Sequence, residues 1–273
     1  MPDVTWPQIV LAFSVALVAG AINSIAGGGT ILTFPVILAV LGDSKMANIT
    51  STLGLWPASL GGAWGYRREI EPYFKHFLPF FIISFFGGGA GAALLLWTKK
   101  STFDAIVPLL ILGATSLFMV QSWVSAWLRR KIESGPPPTS TFTPPPQKHW
   151  LLMVLFQWVV AVYGGYFGAG IGIMMLAALG LLGLNDIYQM NGIKNVGALC
   201  INGLALICFI LWDLTQEQHF IVWPVVAAMA AGGILGGYFC VGLAKKVGPT
   251  AARWIIITVG WLGAAYTAWK AWF

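Results

Sequence analysis

A chain of 273 residues that is 58% hydrophobic and only 9% charged cannot clothe a soluble fold, which normally carries about a quarter charged residues. Its mean hydropathy of +0.80 is gathered in long apolar blocks, which excludes a soluble enzyme, a disordered chain and a nucleic-acid-binding domain. An all-α polytopic membrane protein remains, and the net charge of +6 reads as a topology mark rather than as a signal for nucleic acid.

Ten apolar stretches follow in chain order, at residues 7–26, 30–42, 50–65, 77–97, 104–128, 150–167, 171–184, 195–212, 220–243 and 251–271. The segment before the first, Met1 to Trp6, lacks a basic n-region, so no cleaved leader is expected. Stretches 30–42 and 171–184 fall short of the roughly 17–20 residues that a crossing helix needs. Both follow glycine clusters. The solid apolar runs do not alternate as barrel strands would. Between the fifth and sixth stretches, Gly135-Pro136-Pro137-Pro138 and Pro144-Pro145-Pro146 prevent helix and predict an extended linker. The expected organisation is a first transmembrane repeat at 1–132, a cytoplasmic linker at 133–148 and a second transmembrane repeat at 149–273. Cys200, Cys208 and Cys240 lie in apolar sequence without paired spacing, which predicts buried free thiols rather than a disulfide or metal motif.

The two halves resemble each other. Gly27-Gly28-Gly29-Thr30-Ile31 matches Gly168-Ala169-Gly170-Ile171-Gly172, and Leu41-Gly42 matches Leu182-Gly183. Gly87 and Gly91 before Lys99-Lys100 match Gly233 and Gly237 before Lys245-Lys246. Such order at nearly constant offset suggests an internal repeat. The loop after the third stretch carries Arg67, Arg68 and Lys75, whereas its counterpart carries Asp213 and Glu217. Basic loops stay in the cytoplasm, so equivalent loops fall on opposite sides, the repeats are inverted and both termini lie outside. Lys99-Lys100 sits on the wrong side in this scheme. Each half holds either five crossings or three plus a re-entrant hairpin.

Two segments are candidates for chemistry. Asn23-Ser24-Ile25-Ala26-Gly27-Gly28-Gly29-Thr30 places three glycines where a membrane helix tolerates them poorly. Unwound backbone at membrane depth must line a cavity or lie buried in protein, and a helix restarting at Thr30 would offer N–H groups to an anion. The alternative is close helix packing, the preferred reading for Gly87/Gly91, Gly232/Gly236 and Gly233/Gly237. Gly168 and Gly170 repeat the break in the second half, and Pro35 is the expected hinge. The second segment, Met190-Asn191-Gly192-Ile193-Lys194-Asn195, holds the most deeply placed charge. Charge there is expensive and points to function, unless Lys194 snorkels to an interface near Asp186. Its counterpart is Asn48-Ile49-Thr50-Ser51-Thr52, and Asn202 either lines the same path or bonds a neighbouring helix. The expected binding set is Asn23, Ser24, Gly27, Gly28, Gly29, Thr30, Thr50, Ser51, Gly168, Gly170, Asn191, Lys194 and Asn195. No acid is central in any stretch, no metal or Ser/His/Asp cluster stands out, and no nucleotide-binding loop is present, so neither a cofactor nor catalysis is expected. Trp6, Trp97, Trp150, Trp212, Trp223, Trp269 and Trp272 read as interfacial anchors, and Tyr163 and Tyr166 as packing residues.

Gly20-Ala21-Ile22-Asn23-Ser24-Ile25-Ala26-Gly27-Gly28-Gly29-Thr30-Ile31-Leu32-Thr33-Phe34-Pro35 resembles the amino-terminal signature of the sulfite exporter TauE/SafE family. Gly164-Gly165-Tyr166-Phe167-Gly168-Ala169-Gly170 and Asn191-Gly192-Ile193-Lys194-Asn195 resemble its repeated counterpart. Leu176 stands where the first half has Pro35, which implies a softer break there. The resemblance implies an inner-membrane permease for sulfur-containing or related organic anions, exporting sulfite, sulfoacetate or a similar product. Residues alone reach only an inverted-repeat transporter with a site open to an anion; together with the resemblance, the expected function is a secondary transporter working by alternating access, with an anion channel and a membrane-embedded enzyme as rivals. The expected partners are a small anionic substrate and the lipid bilayer, with a homo-oligomer left open and nucleic acid excluded.

Overall fold

The computed structural model describes residues 4–25, 28–133, 147–182, 184, 186–247 and 249–272. Gly27, linker residues 134–146, Gly183 and the side chains of Ser24, Cys240, Lys245 and Lys246 lie outside the described residues. Among the described residues every regular element is helical: α1 Trp6–Ile25, α2 Gly29–Leu41, α3 Ser44–Gly65, α4 Arg67–Ile70, a 3-10 turn Glu71–Tyr73, α5 Leu78–Trp97, α6 Lys100–Glu133, α7 Gln147–Tyr166, α8 Ile171–Leu181, α9 Ile187–Asp213, α10 Trp223–Val247 and α11 Pro249–Trp272. Stretches Trp6–Asn23, Leu78–Trp97, Lys100–Val120 and Tyr188–Asp213 are each long and apolar enough to cross a bilayer.

The short stretches are short helices. α2 has 13 residues and α8 has 11, roughly 20 and 17 Å at about 1.5 Å per residue, against a hydrocarbon core of about 30 Å. Both begin at a left-handed glycine, Gly28 at φ 96° and Gly170 at φ 82°. An L side chain is strained at those angles, so the chain can turn there only as glycine.

The apolar pattern places two helix starts too late. α3 begins at Ser44 rather than residue 50, and α9 at Ile187 rather than 195. Asp43 accepts the Met46 N–H at 2.9 Å, and Asp186 accepts Tyr188 N–H at 2.8 Å. These N-caps start each helix in polar sequence, ahead of the hydropathy rise.

Helix partners exchange between the halves. α1 lies against α10 as α7 lies against α5, and α3 meets α10 as α9 meets α5. The contacts correspond residue by residue. A Cβ on Gly232 would stand 2.3 Å from the Phe13 carbonyl oxygen, and one on Gly236 1.9 Å from that of Leu17. Across the other pair, a Cβ on Gly87 would stand 2.6 Å from Ala161 Cβ, and one on Gly91 2.0 Å from the Val162 carbonyl oxygen. α1 therefore runs parallel to α10, and α7 parallel to α5. Gly88 fits under Ile201 of α9, and Gly233 under Ala58 of α3. In a bilayer, where apolar surface gains nothing from leaving lipid, close backbone approach of this kind holds helices together. The packing reading of these glycine pairs is the one the structure shows.

Lys100, anomalous by charge counting, is paired: its ammonium lies 3.5 Å from Asp43 and 3.0 Å from Asp104, and Asp104 also accepts Ser44. Lys270 at the end of α11 donates to the Gly42 carbonyl at 3.1 Å. Trp6, Trp97, Trp269 and Trp272 are exposed near helix ends, but Trp212 instead stacks 4.9 Å from Phe220.

The turn between α9 and α10 is tied down by one buried carboxylate. Asp213 accepts the Phe220 and Ile221 N–H groups and lies 3.2 Å from His219 Nδ1. Asp213→Ala would strand those donors, at a cost of about 1–3 kcal/mol. A lowered thermal midpoint in nanodiscs and faster proteolysis within 214–222 are the expected results.

Candidate functional site

Both helix breaks open into one cavity of about 60 Å³. Its walls come from the two halves in matching positions. Gly28 and Thr30 at the start of α2 face it, as do Gly170, Ile171 and Gly172 at the start of α8. Thr52 of α3 answers Asn195 of α9, Leu55 answers Ala198, and Ser59 answers Asn202. Each of these pairs is separated by the offset that relates Asp43 to Asp186, so the cavity sits where the halves meet. α6 backs both breaks, with Phe118 against Gly28 and Ala114 and Leu117 against Gly170.

The first N–H groups of a helix have no carbonyl a turn earlier to bond, and together they present positive potential. At α2 the Gly29 N–H is taken by Asn23 Oδ1 at 3.2 Å, which orients that side chain at the cavity edge. At the second break, Tyr163 donates its hydroxyl to the Ala169 carbonyl at 2.8 Å, and Asn48 of the first half donates Nδ2 to the Tyr166 carbonyl at 2.9 Å. Asn48 thus carries a bond from one half to the broken helix end of the other.

Lys194 supplies the charge. It is 2% exposed, so it does not reach an interface, and Asp186 is occupied in capping α9. Its ammonium donates to Asn191 Oδ1 at 3.0 Å. Among the described residues no carboxylate lies within 4.0 Å of it. Next to it, Asn195 is 8% exposed and its Nδ2 has no hydrogen-bond partner among the described residues. A buried cation beside an unanswered amide donor is costly unless something negative completes the site.

Of the residues anticipated from sequence, Asn23, Gly28, Thr30, Gly168, Gly170, Lys194 and Asn195 line the cavity. Gly29 is used in packing, beneath the Ala19 carbonyl. Thr50 faces away, 3.5 Å from the Phe220 carbonyl and from the Val222 N–H, and helps to hold the 214–222 turn. Ser51 is buried away from the cavity, and Asn191 acts through Lys194. Pro35 lies inside α2, where α11 packs on it at Gly263. Thr52, in the counterpart segment but outside the expected binding set, and Ser59 also line the cavity. One turn and three turns beyond Asn48 on α3, they are the register mates of Asn195 and Asn202, and that register is the available signal. Gly62 supports Asn195, since a Cβ there would stand 3.0 Å from Nδ2. Gly62→Val should displace the amide and raise the KM for substrate at least tenfold (about 1.4 kcal/mol) with the protein still folded, as read from flux in proteoliposomes.

A helical membrane bundle whose halves together line a small polar cavity holding a buried cation defines a solute carrier rather than a catalyst. The family model for the sulfite exporter TauE/SafE family matches residues 12–267, and the chain belongs to that family. It is 26% identical over 279 residues to a probable membrane transporter protein of Haemophilus influenzae, covering 99% of each chain. It is 25% identical over 255 residues to the probable membrane transporter protein YfcA of Escherichia coli K12, covering 90% of this chain and 84% of that one. A probable membrane transporter protein ORF9 from Sinorhizobium sp is 30% identical over 125 residues, 43% of this chain and 45% of its own. No solved structure matches. The protein is a multi-pass membrane transporter, not an enzyme.

Proposed function

We propose that the protein exports a small sulfur oxyanion across the inner membrane by alternating access, binding it between two inverted halves. The carrying observation is the buried Lys194 ammonium, with no carboxylate within 4.0 Å among the described residues, beside the Asn195 Nδ2, which has no partner among them, in a chamber formed by both glycine breaks. Helix starts and a cation together match an oxyanion. A volume of about 60 Å³ holds a few water-sized groups, which favours sulfite, with four heavy atoms, over sulfoacetate or a longer sulfonate.

Inversion is supported by which loops meet which helix ends. Thr50 near the start of α3 bonds the 214–222 turn, and Lys270 reaches the end of α2. Gly192 near the start of α9 receives Ile70 and Tyr66 from the Arg67-bearing segment. The α1–α2 unit therefore opens toward the acidic turn and the α7–α8 unit toward the basic one. Each half is then a re-entrant hairpin plus three crossings, joined by the cytoplasmic linker 133–148. Pro35 and the left-handed glycines are the hinges on which one half rocks against the other.

The test is counterflow of labelled sulfite in proteoliposomes. A carrier gives a saturable overshoot when the vesicles are preloaded with sulfite. Flux that neither saturates nor overshoots indicates a channel and contradicts alternating access. Absence of any sulfite flux or binding contradicts the substrate.

A further inference from the structure

A second cavity, of about 650 Å³ and open to the outside, lies on the basic face, with its charged lining residues exposed. It is lined by Arg67, Arg68 and Lys75, with Glu71, Phe74 and Ala63 among its other walls. Ala63 and Val196, both on its wall, directly follow Gly62 and Asn195, which line the inner chamber. Ile70, 3% exposed, lines this second cavity, and its side chain fills the notch left by Gly192, two residues before Lys194: a Cβ there would stand 2.5 Å from Ile70 Cγ1.

The cations are not consumed by ion pairs. Among the described residues no carboxylate lies within 4.0 Å of Arg67, Arg68 or Lys75. Arg67 is fixed instead by the chain next to it, donating to the Trp64 carbonyl at 2.9 Å and lying 4.5 Å over the Trp64 ring. That arrangement leaves its remaining N–H groups for an acceptor. Three cations against one lining carboxylate, Glu71, give the vestibule a positive field, and a positive concave mouth raises the local concentration of anions.

We propose that this vestibule is a staging site for the substrate oxyanion: Arg67, Arg68 and Lys75 hold it at the cytoplasmic mouth, and withdrawal of Ile70 from the Gly192 notch admits it to Lys194. The inference rests on the oxyanion reading above and adds a second site and an entry side to it. The same cations could hold a lipid phosphate, so the test separates the two sources.

A single reporter thiol, Ala63→Cys, is placed in a background with Cys200, Cys208 and Cys240 changed to Ser. Its reaction rate is measured in phosphatidylcholine nanodiscs with an anionic and a cationic methanethiosulfonate of similar size. The anionic reagent should react at least tenfold faster relative to the cationic one than it does with a free thiol. Arg67→Gln/Arg68→Gln/Lys75→Gln should bring that preference to about one. Arg68→Gln/Lys75→Gln, which leaves the Arg67–Trp64 contacts in place, should give an intermediate value. Sulfate, an oxyanion that unlike sulfite does not attack the thiosulfonate, should slow the anionic reagent in the parent and not in the triple variant. No preference in the parent, or the same preference in the triple variant, overturns the staging site. A preference that vanishes when phosphatidylglycerol is added assigns the cations to lipid and overturns it equally. Because the reagents need not be transported, a failure of sulfite counterflow with the preference intact would remove the sulfite reading and leave the anion vestibule standing.

Discussion

Lys194→Met should abolish oxyanion binding and leave the protein at least as stable as the parent. The two effects have one cause. Among the described residues the buried ammonium bonds only an amide oxygen, and a buried charge without a counter-ion destabilises the fold that holds it. Methionine fills similar space without charge, so the thermal midpoint in nanodiscs should hold or rise. Binding loses a charge-assisted contact in a buried site, and the affinity for sulfite should fall at least a hundredfold, which corresponds to about 2.7 kcal/mol. A structural lysine would show the opposite pattern, with a lower midpoint and unchanged affinity. Lys194→Arg should recover little, because a guanidinium is larger and planar and the chamber is small.

Gly165→Val and Gly236→Val should each prevent a folded bundle from forming. A Cβ on Gly165 would lie 1.9 Å from the Gly88 carbonyl oxygen, and one on Gly236 the same distance from that of Leu17. Backbone stands in the way in both cases, so no rotamer change relieves the clash, and two helices must separate. Packing at such contacts is what joins helices in lipid. Gly61→Val and Gly113→Val are the controls. Each glycine lies within a helix with open space around its Cβ position, and valine has the better helix propensity there. The measurement is the yield of monodisperse protein on size-exclusion chromatography. Near-zero yield for the first two and parental yield for the controls are expected.

The sequence makes the class legible because membrane helices announce themselves by length and apolarity, and the two short helices are visible as stretches that are too short. The glycine breaks are legible for the same physical reason that they are needed: nothing else turns with φ near 90° inside apolar sequence. Helix starts are less so. Asp43 and Asp186 begin α3 and α9 a turn or two before the apolar run, and a cap is a single polar residue that hydropathy ignores. The site is legible in its charged and broken parts, Lys194, Gly28 and Gly170, and illegible in its direction. Thr50, Ser51 and Thr52 are neighbours with similar hydroxyls, yet only Thr52 lines the cavity. Which side of a helix faces inward depends on a rotation that two or three residues of uncertain start erase. Once both caps are placed, the register is fixed, and Thr52 and Ser59 follow as mates of Asn195 and Asn202.

If both halves together build one oxyanion chamber, a density map of the protein in nanodiscs with and without sulfite will reveal it. Added density is expected within hydrogen-bond reach of Lys194 Nζ and Asn195 Nδ2, against the starts of α2 and α8, and it should be lost in Lys194→Met. Sulfite density elsewhere, or a chamber unchanged at saturating sulfite, would contradict it.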